Sequence, residues 1–344
     1  MAASYFNDIF DQPEALQNTL DGLATASSPD LQCLLAKLSS GEYQRLVLTG
    51  MGSSYHVLQP LLLRCQQCGM NVHILETSEL IHYARGLIGP RTLIVVVSQS
   101  GHSAEIVNLL KLTGRQTPII GVTNTADSPL VQQAAALVLT RAGEETSVSC
   151  KTYLAALAAL EWLGDQMFGD AKLAHFNQLA DAPRLVAGYL SNWQAYVSQL
   201  VERFAPIRNL YLVGRGPSLA AVGTGALILK ESAHFAAEGL SSAAFRHGPL
   251  EMADSHVFVL VFQGLSQTAG LNERLLGDVL ARGGQAEAVR MANEPGVFNL
   301  PPVPDAALPI LEMLPVQLIS LALAQIQGFE AGRFSHATKV TITE

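Results

Sequence analysis

The sequence is poor in several features that mark particular classes of protein. It has only four cysteines and two tryptophans in 344 residues. So few cysteines give no disulfide framework for a chain of this length. Acidic residues outnumber basic ones, 29 against 21, and the formal net charge is −8. Nucleic acid and anionic membrane surfaces are therefore not expected partners.

Long apolar runs and targeting signals are also missing from the sequence. No stretch approaches the roughly 20 unbroken apolar residues of a membrane helix. The first ten residues lack the basic region and apolar core of a secretory signal. Cys65 and Cys68 form a Cys-x-x-Cys pair, but no second close pair accompanies them, so we expect structural, partly buried thiols and no metal site. A cytoplasmic protein without a membrane partner is the expectation.

One stretch combines a strand pattern with a cluster of hydroxyl groups. Residues 93–103 read Leu-Ile-Val-Val-Val-Ser-Gln-Ser-Gly-His-Ser, and a helical pattern follows. The apolar run predicts a strand buried on both faces of a parallel sheet. Ligands bind at the carboxyl edge of such sheets, and a helix start with hydroxyl donors favours a phosphate. A serine helix cap followed by a tight glycine turn is the purely structural alternative.

Alternating strand and helix patterns predict an α/β fold with two similar domains. The first set of strands is predicted at residues 45–50, 71–75, 93–97, 117–122 and 136–140. The second set is predicted at residues 209–214, around Glu238, and at residues 256–262, 285–290 and 306–310. Short strands separated by helices imply parallel sheets flanked by helices. The predicted segments are an N-terminal helical segment (1–40), a first domain (41–170), a second domain (195–330) and a tail (331–344).

A short glycine motif follows the first strand of each predicted domain. Gly50-x-Gly52 and Gly214-x-Gly216 both lack the third glycine of a dinucleotide-binding fingerprint. Neither strand-turn-helix unit therefore predicts a nicotinamide or flavin cofactor.

Three further motifs carry groups that can move protons or polarise a carbonyl. Lys230 and Glu231 follow an apolar helical stretch, His247 stands between Arg246 and Gly248-Pro249, and Lys339 precedes alternating Val and Thr residues. Taken singly, they are typical of a solvated ion pair, a histidine on a turn and a charged edge strand.

Together these motifs resemble the isomerase half of the glucosamine-6-phosphate synthase family, which is built from tandem sugar isomerase (SIS) domains. The resemblance runs from about residue 45 to the C-terminus. Ser98-Gln-Ser-Gly-x-Ser103 is similar to the family's Ser-Gln-Ser-Gly-x-Thr phosphate loop, and Gly52-Ser-Ser-Tyr-His56 is similar to its Gly-Thr-Ser-Tyr-His turn. Matches to the family's order continue at Gly214-Arg-Gly, Leu229-Lys-Glu231, His247-Gly-Pro249 and Lys339-Val-Thr. The implied fold is a pair of flavodoxin-like, three-layer α/β/α domains.

The resemblance implies a role for each matching residue. The residues that would bind the substrate are Ser98, Gln99, Ser100 and Ser103 at the 6-phosphate, and Ser53, Ser54 and Val148 at the sugar. Glu231 would move a proton between C1 and C2, and His247 would open the sugar ring, in this family from the neighbouring subunit. Lys339 would form a Schiff base with the open-chain carbonyl or polarise it. The resemblance implies no cofactor, a phosphorylated amino sugar as substrate, and a homodimer with a shared active site.

Departures from the synthase pattern favour a deaminase. We expect no glutaminase domain before the first unit, because residue 2 is alanine and not the nucleophilic cysteine. Ile228 stands where the synthase has a lysine, and Phe334-Ser-His336 replaces its Pro-Arg-Asn. The tail is more like the stand-alone deaminase branch. The leading hypothesis is conversion of glucosamine 6-phosphate and water to fructose 6-phosphate and ammonia.

Two other functions remain open at this point. A deglycase that splits a fructosamine 6-phosphate would share the phosphate loop and need a wider pocket near C1 or C2. A non-catalytic phosphosugar sensor would normally carry a helix-turn-helix module and lack the catalytic glutamate and histidine. Glu231 and His247 are both present here, and the first 40 residues are short and acidic.

Overall fold

The chain divides into two compact units, each built from segments that are distant in sequence. The computed structural model describes residues 4–114, 116–169, 174–336 and 338–341. We call the two units by their sheets. The N-sheet unit comprises Glu14–Glu144, Lys151–Ala180 and His336–Glu344, and the C-sheet unit comprises Met1–Pro13, Glu145–Cys150 and Asp181–Ser335. The outermost residues of the predicted N-terminal segment and tail, 1–3 and 342–344, lie outside the described residues.

The described residues form parallel strands alternating with helices. The strands are β1 (Arg45–Gly50), β2 (Val72–Glu76), β3 (Thr92–Val97), β4 (Ile119–Thr123), β5 (Ala136–Leu139), β6 (Asn209–Gly214), β7 (Ala237–Ser241), β8 (Val257–Phe262), β9 (Gln285–Met291) and β10 (Asn299–Leu300). The α-helices are α1 (Tyr5–Phe10), α2 (Gln12–Ala24), α3 (Pro29–Ser39), α4 (Ser53–His56), α5 (Gln59–Gln67), α6 (Thr77–His82), α7 (Ala104–Thr113), α8 (Pro129–Gln133), α9 (Lys151–Phe168), α10 (Ala174–Asn177), α11 (Ala182–Leu190), α12 (Trp193–Phe204), α13 (Leu219–Ala233), α14 (Ser242–Arg246), α15 (Ser266–Ala281), α16 (Leu308–Leu311) and α17 (Met313–Gln327).

The sheet of the N-sheet unit has the strand order β2-β1-β3-β4-β5, with every pairing parallel. Every residue of the central strand β3 is buried, which accounts for its continuous apolar pattern. Ile94 and Val96 share a buried cluster with Ile106 and Leu109 of α7. Helix α9 also contacts the sheet, at β4 and β5, and is buried from its first residue to Asp165. This strand order is that of flavodoxin-like doubly wound sheets.

A buried ion-pair network fixes α9 within the N-sheet unit. The guanidinium of Arg64 on α5 donates to Glu161 Oε2 at 2.8 Å and to Asp165 Oδ1 at 2.6 Å. Asp165 Oδ2 also accepts hydrogen bonds from the backbone N–H groups of His175 and Phe176. Burial raises the pKa of Glu161, and the adjacent Arg64 opposes that rise.

The sheet of the C-sheet unit repeats the same topology. Its order is β7-β6-β8-β9-β10, again parallel, which matches the first sheet when each is counted from its own first strand. Val259 and Val261 of β8 cluster with Leu275 and Val279 of α15. Helix α13 contacts β6, β7 and α17. The prediction of α/β architecture with parallel sheets flanked by helices is therefore confirmed.

Three local predictions were wrong. Residues 306–310 are not a strand: a 3₁₀ turn (Asp305–Ala307) leads into α16, where Pro309 occupies the first turn. The edge strand is the two-residue β10. The sequence pattern from Tyr55 to Cys68 predicts one helix, but the structure has two, α4 and α5, and Pro60 lies in the first turn of α5. Of the Cys-x-x-Cys pair, Cys65 is buried and Cys68 is exposed.

One described segment, Asp305–Gln327, is long and apolar enough to cross a membrane by length and composition alone. In the structure 94% of its apolar window is buried within the protein. Helix α17, its main part, contacts α12 and α13, so the segment has the burial of a core helix.

Candidate active site

The carboxyl end of β1 lies against the carboxyl end of β3 in the N-sheet unit. A Cβ atom added to Gly50 would stand 2.6 Å from the Ser54 carbonyl oxygen and 2.9 Å from that of Val97. Only glycine allows this approach. Gly52 has a φ of 54° and precedes α4, whose first residues are Ser53 and Ser54. The turn therefore places both serines near the end of the strand that leads into the loop Ser98–Ser103.

The backbone of the Ser98–Ser103 loop is anchored at Gln99. Its carbonyl oxygen accepts hydrogen bonds from the Asn124 N–H at 3.1 Å and from the hydroxyls of Thr123 and Thr125 at 3.2 Å each. Thr123 ends β4, the next strand of the sheet, and Asn124 and Thr125 follow it. With its carbonyl held toward β4, the loop has one defined backbone orientation.

Hydroxyl groups within the loop brace it further. Ser98 Oγ accepts from the Gly101 N–H at 3.1 Å, and Ser100 Oγ accepts from the His102 N–H at 3.2 Å. Gly101 has a φ of 65°, and a Cβ atom there would collide with Ser128. Ser103 precedes α7 but makes no side-chain cap hydrogen bond. A simple serine cap therefore does not account for this cluster of hydroxyls.

The start of α7 meets the C-terminal tail. The Ala104 N–H donates to the Thr341 carbonyl at 3.0 Å, two residues after the half-buried Lys339. Glu105 in the same turn is buried, and within the described chain its Oε2 has no hydrogen-bond partner. A carboxylate in the first turn of a helix is favoured by the helix dipole, but it would repel a bound phosphate. Hydroxyl and N–H donors of the loop would have to outweigh that repulsion.

Tyr55 follows Ser54 in α4, and the pKa of its phenol is raised. Burial raises its pKa, and the carboxylate of Glu76 raises it further. The phenol is therefore a neutral hydrogen-bonding group at neutral pH. His56 follows it and is half-buried.

The other predicted site residues belong to the C-sheet unit. Glu231 is half-buried in the last turn of α13, and Val148 is buried. His247 is exposed at the end of α14, where its N–H donates to the Ala244 carbonyl at 3.0 Å, and Gly248 follows. The structure thus brings together Ser53, Ser54, Ser98, Gln99, Ser100, Ser103 and Lys339 in one unit. The functional roles of all these residues stay predictions.

Sequence reasoning missed the residues that hold the loop in place. Thr123, Asn124 and Thr125 anchor Gln99, and Ser128 packs on Gly101. A signal for them existed, since they are a polar run directly after a buried strand, at the sheet edge where ligands bind. Within the described parts of the chain, no group of three His, Cys, Asp or Glu side chains is arranged to hold a metal ion.

The N-sheet unit is thus a doubly wound α/β domain with a hydroxyl-rich loop, Ser98–Ser103, at the carboxyl edge of its sheet. Residues 42–164 match the family model of the SIS domain, so this part of the chain is similar to SIS domains. The match covers a single SIS domain and not the predicted tandem pair. The C-sheet unit repeats the strand order, but apart from Glu145–Cys150 its sequence lies outside the match.

Relatives of known name agree with this assignment. The isomerizing glutamine–fructose-6-phosphate aminotransferase of Pyrococcus horikoshii is 29% identical over an aligned length of 352 residues. The alignment covers 98% of this chain and 57% of that protein. The chain therefore spans a little over half the length of such relatives. It resembles their isomerase domain.

Solved structures show the same fold. The C-terminal domain of glucosamine-fructose-6-phosphate aminotransferase from Francisella tularensis superposes with a TM-score of 0.84 at 23% identity, covering 97% of this chain and 98% of that one. Glucosamine-6-phosphate deaminase from Thermotoga maritima gives 0.78 at 17% identity, covering 99% and 100%. At these identities the likeness is one of fold alone.

Proposed function

We propose that this protein is a phosphosugar aldose–ketose isomerase that deaminates glucosamine 6-phosphate, giving fructose 6-phosphate and ammonia with the uptake of one water. The observation that carries the proposal is the anion cradle Ser98–Ser103 within the SIS domain. Its backbone is fixed through Gln99, so that a 6-phosphate can bind without reorganising the loop. Ser98, Ser100 and Ser103 would supply hydroxyl donors to the phosphate.

The chemical steps need few groups. His247 would transfer the proton that opens the pyranose ring. Glu231 would then take the C2 proton of the open-chain aldose and return it to C1, so that the C2 amine becomes an imine. Water would add to that imine, and ammonia would leave from C2. Lys339 would polarise the open-chain carbonyl or form a Schiff base with it.

The deaminating direction is supported by the surroundings of Glu231. Ile228, three residues earlier on α13, is fully buried and apolar where the synthase has a lysine. No basic side chain at that position is available to a synthase-like proton relay. His336 is exposed in the tail, at the position that resembles the deaminase branch. The fold shared with the Thermotoga maritima deaminase is compatible with this direction.

A substrate screen tests the activity directly. Hexosamine 6-phosphates and fructosamine 6-phosphates are supplied separately, and ammonia is measured with coupled glutamate dehydrogenase. Release of ammonia from glucosamine 6-phosphate is expected, with fructose 6-phosphate formed in equal amount. Turnover confined to a fructosamine conjugate would identify a deglycase, and no turnover with retained phosphosugar binding would identify a sensor.

A variant at Glu231 tests the proton transfer. Glu231→Gln should lose at least about 100-fold in turnover, because a positioned general base contributes about 10²–10⁴-fold. Its affinity for fructose 6-phosphate should stay within about twofold of wild type. Glu294→Gln, an exposed acid in the same unit, is the matched control and should keep full activity. Full activity in Glu231→Gln would refute the assigned role.

The shared active site of a homodimer is part of the proposal and has its own test. Inactive Glu231→Gln and His247→Ala chains are mixed, and mixed dimers are isolated with two affinity tags. If His247 acts across the interface, one site per mixed dimer combines both intact residues and activity returns in part. Mixed dimers without any recovered activity would assign His247 to its own subunit's site.

A further inference from the structure

The last turn of α13, which carries Glu231, is held by backbone capping from a distant segment. Ser232 is the residue after Glu231, and its carbonyl oxygen accepts from the Gly332 N–H at 2.9 Å. The Ala233 carbonyl accepts from the Gln327 side-chain amide at 2.8 Å. The last carbonyls of a helix have no partner within it, so outside donors determine how this turn is fixed.

Gly332 is bound on its other side as well. Its carbonyl oxygen accepts from Ser147 Oγ at 2.5 Å. Its φ is 79°, and an added Cβ would collide with Tyr5 and stand 2.8 Å from Ser147 Oγ. Gly332 therefore has both backbone groups engaged and no room for a side chain. It joins Ser147 to the end of α13.

The segment that carries Ser147 is itself fixed within the C-sheet unit. The Cys150 N–H donates to Glu145 Oε1 at 2.8 Å, and Gln317 Nε2 of α17 approaches Cys150 Sγ at 3.3 Å. Gln317 also exchanges two amide hydrogen bonds with Gln12, at 2.8 and 3.0 Å. Val148, assigned to the sugar by resemblance, is the neighbour of Ser147. The residue next to Val148 and the residue next to Glu231 are thus linked through Gly332.

We propose that Ser147 and Gly332 are positioning residues that set the placement of Glu231 relative to Val148, and so of the base relative to the bound sugar. The inference rests on the proposed function. Neither residue needs to touch the substrate, since both act through their neighbours. Misplacement of a reacting group by 1 Å can cost about 100-fold in rate, whereas phosphate binding depends on the loop in the N-sheet unit. We call the hydrogen bonds from Ser147 Oγ to the Gly332 carbonyl and from the Gly332 N–H to the Ser232 carbonyl the clamp. Loss of the clamp should lower kcat and leave KM nearly unchanged.

Ser147→Ala tests the clamp by removing one hydroxyl. We expect kcat for glucosamine 6-phosphate to fall by about tenfold or more, with KM and fructose 6-phosphate affinity within about twofold of wild type. Ser147→Thr, which keeps the hydroxyl, should restore most of the kcat. Gly332→Ala should show the larger loss, and Ser147→Ala keeps the test valid if Gly332→Ala fails to fold.

Ser320→Ala is the matched control for a merely structural effect. Ser320 is also buried in the same unit, with its hydroxyl 3.0 Å from Tyr5 Oη and 2.7 Å from the Gln317 carbonyl oxygen, neither of which belongs to Gly332. The Ser320→Ala variant should lower the melting temperature as Ser147→Ala does, but it should keep the wild-type kcat. If the wild type is active, the positioning role is refuted by an unchanged kcat in Ser147→Ala or by an equal loss of kcat in Ser320→Ala. Either result would leave the proposed function standing. A wild type inactive on every sugar phosphate would overturn the proposed function, and the clamp with it.

Discussion

Replacing Glu312 by glutamine should remove a large pH dependence of stability. Glu312 lies between α16 and α17 and is only 1% exposed. Its Oε1 accepts from Ser218 Oγ at 2.8 Å, and in the described part of the chain its Oε2 has no hydrogen-bond partner. Burial raises the pKa of Glu312 to about 8, although the bond from Ser218 opposes that rise. The carboxyl group is therefore mostly neutral at pH 7.

The sign and size of the effect follow from proton binding. In the unfolded chain the carboxyl titrates near its ordinary pKa of 4.5, so between pH 4.5 and 8 the folded protein holds one more proton. Stability falls as pH rises wherever the folded state binds more protons, by about 1.4 kcal/mol per pH unit. The free energy of unfolding should thus lose about 5 kcal/mol across this window. The contribution is complete below pH 4.5 and absent above pH 8.

Urea unfolding of wild type and Glu312→Gln at pH 5, 6, 7 and 8 measures the pH-dependent contribution of Glu312 to stability. The amide does not titrate, and all other groups cancel in the difference between the two proteins. The free energy of unfolding of Glu312→Gln, relative to that of wild type, should rise by about 1.4 kcal/mol per pH unit. Glu294→Gln, on the surface, should show a constant difference. Parallel curves for wild type and Glu312→Gln would refute the buried neutral carboxyl.

Three further predictions concern the N-sheet unit. Gly101→Ala should weaken fructose 6-phosphate binding by at least about tenfold, measured by calorimetry, because the new Cβ meets Ser128 and the φ of 65° strains alanine. Arg64→Met should lower the free energy of unfolding by about 3–5 kcal/mol, since two buried carboxylates lose their cation. Burial raises the pKa of Cys65 to about 12, so iodoacetamide at pH 8 should label the exposed Cys68 and spare Cys65, as read by mass spectrometry.

Matched controls separate these effects from general destabilisation. Gly114→Ala, at the other end of α7, has a φ of 51° but no atom within 4 Å of the new Cβ, so it should keep phosphosugar affinity. Lys37→Met breaks an exposed pair with Glu42 and should lower the free energy of unfolding far less than Arg64→Met does. Cys65 should become reactive in denaturant. Loss of affinity in Gly114→Ala, a loss below 1 kcal/mol in Arg64→Met, or rapid native labelling of Cys65 would contradict the respective argument.

The sequence predicted the central strands because burial alone determines their pattern. β3 and β8 are buried along their whole length and read as unbroken apolar runs. The edge strand β10 has two residues and leaves no pattern to read, whereas the apolar residues near Pro309 imitate a strand. Periodicity therefore fails where an element is short or where a buried helix is uniformly apolar.

Contacts between segments that are distant in sequence could not be predicted from local sequence patterns. Residues 4–13 cluster with the C-sheet unit, where Tyr5 Oη lies 3.0 Å from Ser320 Oγ. Nothing in the local pattern of α1 indicates which helix it meets. The hydroxyls of Ser98–Ser103 predict a phosphate loop, but the backbone of this loop is held through the Gln99 carbonyl, which no side-chain motif reveals. The roles of Glu231 and Lys339 stay predictions from resemblance.

The two sheets share one strand order, but the connection that holds the proposed anion cradle differs from its counterpart in the other sheet. In the N-sheet unit six residues, Ser98–Ser103, separate β3 from α7, and serine hydroxyls brace the turn. At the corresponding edge of the C-sheet unit only three residues, Gln263–Leu265, separate β8 from α15. Asn272 closes that junction by donating to the Phe262 and Gln263 carbonyls at 3.0 and 3.1 Å. Topology therefore determines where a ligand can approach each sheet, and the length and hydroxyl content of one connection determine whether an anion can bind there.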